Sequence, residues 1–149
     1  MGLKLHLLHP AAVHFPIALL CLGLAAVGRR YFKGAPAWLG AAESRLLWLG
    51  TAAAWAALAL GLLAERTAPH VPSAWEVLAD HESLAWRTCG VFASLSVLRL
   101  YAARSGRDGG KIRAAELLLW LIGAGLLIAT ALHGAELVYG FGMGVGAAG

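Results

Sequence analysis

The sequence predicts an all-α integral membrane protein, a four-helix up-down bundle that forms one domain over residues 1–149. Hydrophobic residues make up 60% of the chain and charged residues only 13%, whereas a soluble domain carries roughly 25% charged residues. The apolar residues fall into four stretches, each near the roughly 20 residues that cross a bilayer as a helix. The cationic residues are segregated by loop, which indicates membrane orientation and not nucleic-acid binding.

The four predicted spans follow one another with short connections. Span one covers about residues 10–28 and span two about residues 45–64. Span three covers about residues 82–103 and span four about residues 113–133. The start of the chain has some features of a signal peptide, but its apolar run is long enough to span and is interrupted by histidines and prolines. We therefore expect span one to be retained as a membrane helix.

The charges of the loops predict how the chain is oriented. The first and third loops are rich in arginine and lysine, whereas the second loop is acidic and the amino-terminal segment has only Lys4. Because cationic loops stay in the cytoplasm, we expect both termini and the second loop on the outer, periplasmic side of a bacterial cytoplasmic (inner) membrane. All histidines then lie on that side: His6, His9, His14, His70, His81 and His133.

The sequence also predicts local structure in two segments on the outer side, the second loop and the carboxyl-terminal tail. The S-A-W-E run that begins at Ser73 matches a capping box and predicts a helix start. Asp80 is an alternative cap for span three, and a single helix bent near His81 is a third possibility. The alternating glycines of the carboxyl-terminal tail predict an irregular segment folded against the bundle, with Glu136 close to the histidines. The alternative is a flexible tail with Glu136 in solvent.

Histidines from three helices converge on the outer face and predict a cofactor site. Ionisable residues in membrane helices usually face the bundle interior, and neutral imidazole is the commonest metal ligand. The leading hypothesis is a single haem b near the outer face, used for electron transfer. We expect His14 and His133 as axial ligands, with His81 as the main rival. His9 is a supporting residue, and Arg87 is expected to pair with a haem propionate.

Two other functions stay open. The cluster can instead be a metal site for copper, zinc or iron that uses His14, His81 and His133, since imidazole suits all three metals. Alternatively, each imidazole bonds a nearby carbonyl, and the chain is a structural or assembly subunit without a cofactor. The sequence has no hydrolase or transferase motif, and spans nearly free of carboxylates argue against a proton-coupled transporter.

The expected partners follow from these hypotheses. Membrane lipid surrounds the bundle, and a haem protein would exchange electrons with a quinol, a periplasmic cytochrome or another membrane subunit. The cytoplasmic half of the predicted bundle has no histidine, so the chain alone cannot carry electrons across the membrane. An electron-transfer or accessory subunit is therefore expected, in preference to a stand-alone enzyme, and no nucleic acid is expected as a partner.

Both ends of the chain carry motifs of a known family. The start reads HP-x-x-VHFPIA over residues 9–18, and the end reads LVY-x-x-G-x-GV over residues 137–145. These motifs resemble the bacterial membrane family catalogued as domain of unknown function 2231. Ala135 stands where the family motif has a second glycine. The resemblance covers almost the whole chain and implies four spans, but it implies no reaction.

Overall fold

All the regular secondary structure in the residues that the structure describes is helical. The computed structural model describes residues 7–32, 34–67, 71–106 and 109–143. A short 3-10 turn at Pro72–Ala74 lies between the third and fourth helices. The prediction of an all-α fold is confirmed. The α-helices are α1 (Leu8–Ala12), α2 (His14–Arg30), α3 (Leu39–Thr67), α4 (Trp75–Ser105) and α5 (Gly110–Tyr139).

Several of these helices have the length and apolar composition of membrane spans. Helix α4 contains the predicted third span and is as long as the others, but Arg87 and Arg99 make it less apolar. The other predicted spans fall in more apolar segments. Three described segments are long and apolar enough to cross a membrane, namely Leu8–Arg30, Leu39–Thr67 and Gly110–Tyr139.

Helix α4 begins differently from the sequence expectation. The predicted capping box at Ser73 is wrong, because the helix begins at Trp75 and no side chain caps its first turn. The preceding 3-10 turn, which opens with a proline, already satisfies the Trp75 N–H through the carbonyl of Pro72. The helix then runs without a break through Asp80 and His81. Asp80 is therefore not a cap, and one continuous helix is observed, while the bend expected near His81 stays a prediction.

The carboxyl-terminal segment is more regular than its glycines suggest. Helix α5 continues to Tyr139, so the prediction of an irregular segment from Gly134 onward is wrong for residues 134–139. The chain turns at Gly142, which has a φ of +68°. There the N–H of Gly142 donates to the carbonyl of Val138 at 3.0 Å, which is the single bond of the αL motif that ends many helices. The last glycines, at positions 144, 146 and 149, lie outside the described residues.

The four long helices pack as two helical hairpins. In each hairpin, residues near the start of the first helix contact residues near the end of the second helix, so the two helices are antiparallel. The hydrophobic core lies where the hairpins meet, and its most deeply buried side chains are Leu20, Leu47, Phe92, Leu95 and Trp120. In the first hairpin the successive contacts are His9 with Ala57, Leu20 with Gly50 and Arg30 with Glu43.

Two ion pairs lie at the end of the bundle that is remote from these histidine contacts. Glu43 on α3 pairs with Arg30, and Glu116 on α5 pairs with Arg99 at 3.3 Å. Both carboxylates are buried, with exposed fractions of 2% and 5%. Glu116 lies within predicted span four and is an exception to the expectation of spans nearly free of carboxylates. Because each carboxylate has a guanidinium partner, these buried charges are compensated.

Candidate functional site

The histidine end of the bundle has a half-open cavity of about 450 Å³. Residues from all five helices line it, and most of the wall is apolar. Small residues such as Ala54, Ala57 and Gly61 form part of the wall and keep the space open. The wall residues with polar side-chain groups are few: His9, His14, Glu65, His81, Glu82, Thr88, Cys89, Thr130 and Tyr139. A mostly apolar cavity with a few convergent polar groups is the usual form of a ligand site.

His9 is held in this wall by a contact between two helices. Its Nδ1 lies 2.9 Å from the carbonyl oxygen of Ala57 on α3. A carbonyl oxygen only accepts hydrogen bonds, so Nδ1 carries the proton and Nε2 of the neutral ring keeps a free lone pair. The ring also packs over Gly61, where an added Cβ would lie 3.0 Å from His9 Cε1. His9 therefore has a fixed tautomer and a restricted ring position.

His81 is held in the same way in the second hairpin. Its Nδ1 lies 2.9 Å from the carbonyl oxygen of Thr130 on α5. The ring packs over Gly134, where an added Cβ would lie 3.0 Å from His81 Cε1. The hydrogen bond again fixes the proton on Nδ1 and leaves Nε2 available as a ligand. A carbonyl that orients a histidine through its other nitrogen is the usual outer partner of a metal-binding imidazole.

His9 and His81 come together across the two hairpins. Their ring centroids are 6.2 Å apart and their planes are inclined by 80°. An imidazole nitrogen binds a metal at about 2.0 Å, so two rings on opposite sides of one metal atom have centroids about 6.3 Å apart. The observed spacing is close to that distance, and it also lies in the range of an ordinary edge-to-face contact between two rings.

The other predicted site residues lie apart from this pair. His14 is exposed, and its Nδ1 is 3.4 Å from the carbonyl oxygen of Ala11, although the residue still lines the cavity. His133 donates to the carbonyl of Ala129, one turn earlier in its own helix, at 3.0 Å. His133 lies within electrostatic range of His81 but is outside the described cavity wall. Arg87 is exposed and also lies outside that wall.

The structure therefore brings together a different pair from the one expected. The choice of His14 and His133 as axial ligands stays a prediction, and the structure places His9 and His81 side by side instead. Glu136 is exposed and lies outside the described cavity wall. The remaining two histidines, His6 and His70, lie outside the described residues.

A site built from many protein ligands has no support in the described part of the chain. Within those residues, no group of three or more histidine, cysteine, aspartate or glutamate side chains is placed to hold a metal ion. Structural zinc sites use four protein ligands and catalytic zinc sites three. The two-imidazole arrangement of His9 and His81 suits a group that brings most of its own ligands.

The fold and the cavity define a helical membrane protein with a histidine pair at one end of its bundle. The family model described as predicted membrane protein (DUF2231) matches residues 5–147. The chain belongs to this family, and the resemblance indicated by the motifs at its two ends is confirmed. No curated protein and no solved structure matches the chain.

Proposed function

We propose that this protein binds one haem b between His9 and His81 and carries electrons near the outer face of a bacterial cytoplasmic membrane. The observation that carries the proposal is the imidazole pair, with ring centroids 6.2 Å apart beside a largely apolar cavity of about 450 Å³. The proposal keeps a single haem on the periplasmic side but replaces His14 and His133 as its axial ligands.

The number of ligands favours haem over a bare metal ion. The porphyrin supplies four nitrogens to its iron, so a protein needs to add only two axial ligands. A zinc ion held by protein takes three or four protein ligands. The pair of His9 and His81 supplies two neutral nitrogens, each with its tautomer fixed by a carbonyl. This stoichiometry and the apolar wall both suit haem b.

Two axial histidines also favour electron transfer over catalysis. With both axial positions filled by protein, the iron keeps no open position for oxygen or a substrate. The described cavity lies at one end of the bundle, so electrons would enter and leave on that side. A membrane quinol and a periplasmic cytochrome, or another membrane subunit, are the partners that this location suits.

The proposed topology has four spans with both termini outside. Helix α4 is the least apolar of the long helices, but its Arg99 faces the bundle interior and pairs with Glu116. Pairing reduces the cost of a charge within a membrane helix, so α4 can cross together with α5. The cationic first and third loops then lie in the cytoplasm.

The test is the haem content of single histidine variants. Wild type, His9→Ala, His81→Ala, His14→Ala and His133→Ala are produced with ample haem, purified in detergent and assayed by haem extraction. We expect about one haem per chain in wild type and in the last two variants, and large losses in the first two. Full haem content in His9→Ala and His81→Ala would overturn the ligand assignment. A haem-free wild type would overturn haem binding and favour a structural or assembly subunit.

A further inference from the structure

The two histidines of the pair are held by matching surroundings. Each donates its Nδ1–H to a backbone carbonyl on the second long helix of its own hairpin. A glycine stands four residues after each of these carbonyls and packs under the imidazole ring. The histidines are 72 positions apart, and both the carbonyl residues and the glycines are 73 apart. The matched residues are His9 and His81, Ala57 and Thr130, and Gly61 and Gly134.

The same correspondence continues through the bundle. Leu20 packs over a glycine on α3, and Phe92, 72 positions later, packs over a glycine on α5. The sequence Ala-Ala-Glu recurs at positions 41–43 and 114–116, and each glutamate is buried and paired with an arginine of the preceding helix. The two glycines under Leu20 and Phe92 are also 73 positions apart. The two hairpins therefore follow one pattern of packing and polar contacts.

We infer that the site consists of two copies of one half-site and that Gly61 and Gly134 are positioning residues for its imidazoles. Each copy is a two-helix hairpin, so the second copy begins on the same side as the first, and the axis that relates them runs along the membrane normal. His9 and His81 meet between the two copies and contribute equivalent nitrogens. This inference rests on the proposed function for the identity of the ligand, but not for the repeat itself.

The glycines control where each ring can lie. A Cβ at position 61 would be 3.0 Å from His9 Cε1 and 3.2 Å from its Nδ1. A Cβ at position 134 would be 3.0 Å from His81 Cε1. These contacts are tighter than ordinary van der Waals contacts, so a methyl group would push the ring while its hydrogen bond holds one nitrogen in place. The ring would then rotate, and the angle of 80° between the two planes would change.

That angle has a spectroscopic signature in a ferric haem protein. Axial imidazole planes that are nearly perpendicular leave the iron orbitals almost degenerate. The electron paramagnetic resonance (EPR) spectrum then shows one strongly anisotropic low-field feature. Parallel planes split the orbitals and give a three-line rhombic spectrum. The half-site arrangement predicts the first kind of spectrum for the wild-type protein.

The experiment compares alanine variants of glycines in two surroundings. Gly61→Ala and Gly134→Ala add a methyl under a histidine, whereas Gly125→Ala and Gly90→Ala are controls with open space at the Cβ position. We expect both control spectra to match wild type. We expect the EPR spectrum of each test variant to become more rhombic. We also expect each to bind haem about 10- to 100-fold more weakly, since loss of the groups that orient a ligand residue weakens metal binding by about that factor. Test variants that match the controls in both measurements would overturn the positioning role.

A second measurement separates this inference from the haem proposal. If wild type contains no haem, the haem proposal fails, and histidine-labelled protein in detergent is examined by nitrogen-15 NMR. The half-site inference predicts that Gly61→Ala shifts the imidazole signals of His9 and that Gly134→Ala shifts those of His81. Assignment comes from the two His→Ala variants. Imidazole signals that stay unchanged in both glycine variants would overturn the inference independently of haem.

Discussion

The buried ion pair between Arg99 and Glu116 makes a quantitative prediction about the bundle. Glu116 is 5% exposed, and Arg99 reaches both of its carboxylate oxygens at 3.3 Å while its Nε donates to the Ser44 hydroxyl at 3.1 Å. Glu116→Leu leaves a guanidinium in the interior without a counter-charge. Removing one member of a buried pair costs about 3–5 kcal/mol, and we expect that loss in the free energy of unfolding.

The double variant distinguishes the charge effect from simple loss of packing. In the double variant Arg99→Met, Glu116→Leu, no uncompensated charge remains. Replacing a buried ion pair by apolar residues often leaves the free energy of unfolding unchanged. We expect the double variant to regain most of the loss, less about 1 kcal/mol for the hydrogen bond to Ser44. Arg104→Met, at an exposed position of the same helix, is the matched control and should unfold like wild type.

Unfolding by denaturing detergent, followed through tryptophan fluorescence, measures these differences. One of the six tryptophans, Trp120, lies one turn after Glu116 and is 1% exposed, so part of the emission reports the packing around the ion pair. The reasoning is refuted if Glu116→Leu unfolds within about 0.5 kcal/mol of wild type, the usual range for neutral surface changes. It is also refuted if the double variant is no more stable than the single one.

Three further predictions follow from packing and from the cavity. Gly123→Ala should lower the free energy of unfolding by about 1–3 kcal/mol, because the added Cβ would lie 2.8 Å from Phe92. Gly125→Ala faces open space and should leave the free energy of unfolding unchanged. Equal stabilities of the two variants would contradict this reasoning. Ala85→Phe should fill part of the cavity and reduce haem content while circular dichroism stays helical, and unchanged haem content would contradict it. Thr130→Val should cost about 0.6 kcal/mol of unfolding free energy through its lost hydroxyl contact with α4, the average for such bonds in membranes; a more stable variant would contradict it.

The sequence predicts the helices well because the length of an apolar stretch is a local property. The four expected spans fall within the four long helical segments of the structure. Helix α4 begins close to the predicted position, but the expected cap at Ser73 was wrong because a short 3-10 turn precedes the helix. The extension of α5 past Gly134 was missed because a glycine that packs under an imidazole is compatible with a helix.

The histidine pair was harder to predict because it depends on helix phase and tertiary contacts. A break at Val13 separates α1 from α2, and His9 lies on α1 while His14 begins α2. The spacing along the sequence does not show which of the two faces the second hairpin. His133 has its Nδ1 engaged by its own helix, a bond that the sequence also cannot show.

One signal in the sequence does point to the pair of His9 and His81 that the structure brings together. The chain compared with itself at an offset of 72 or 73 positions aligns His9 with His81, and it aligns the pattern A-A-E-x6-G-x10-G of α3 with that of α5. Internal repeats of this kind show which residues occupy equivalent places. His14 aligns with Trp86 in that comparison, so it has no histidine counterpart in the second hairpin.

The optical difference spectrum of the purified wild-type protein tests the central claim most directly. The protein is made with ample haem, and its dithionite-reduced spectrum is compared with its oxidised spectrum. Six-coordinate b-type bands at about one haem per chain, unchanged by carbon monoxide, are the result expected for a haem held between His9 and His81. A colourless protein would contradict the claim that this cavity binds haem, and bands that shift with carbon monoxide would contradict ligation by two histidines.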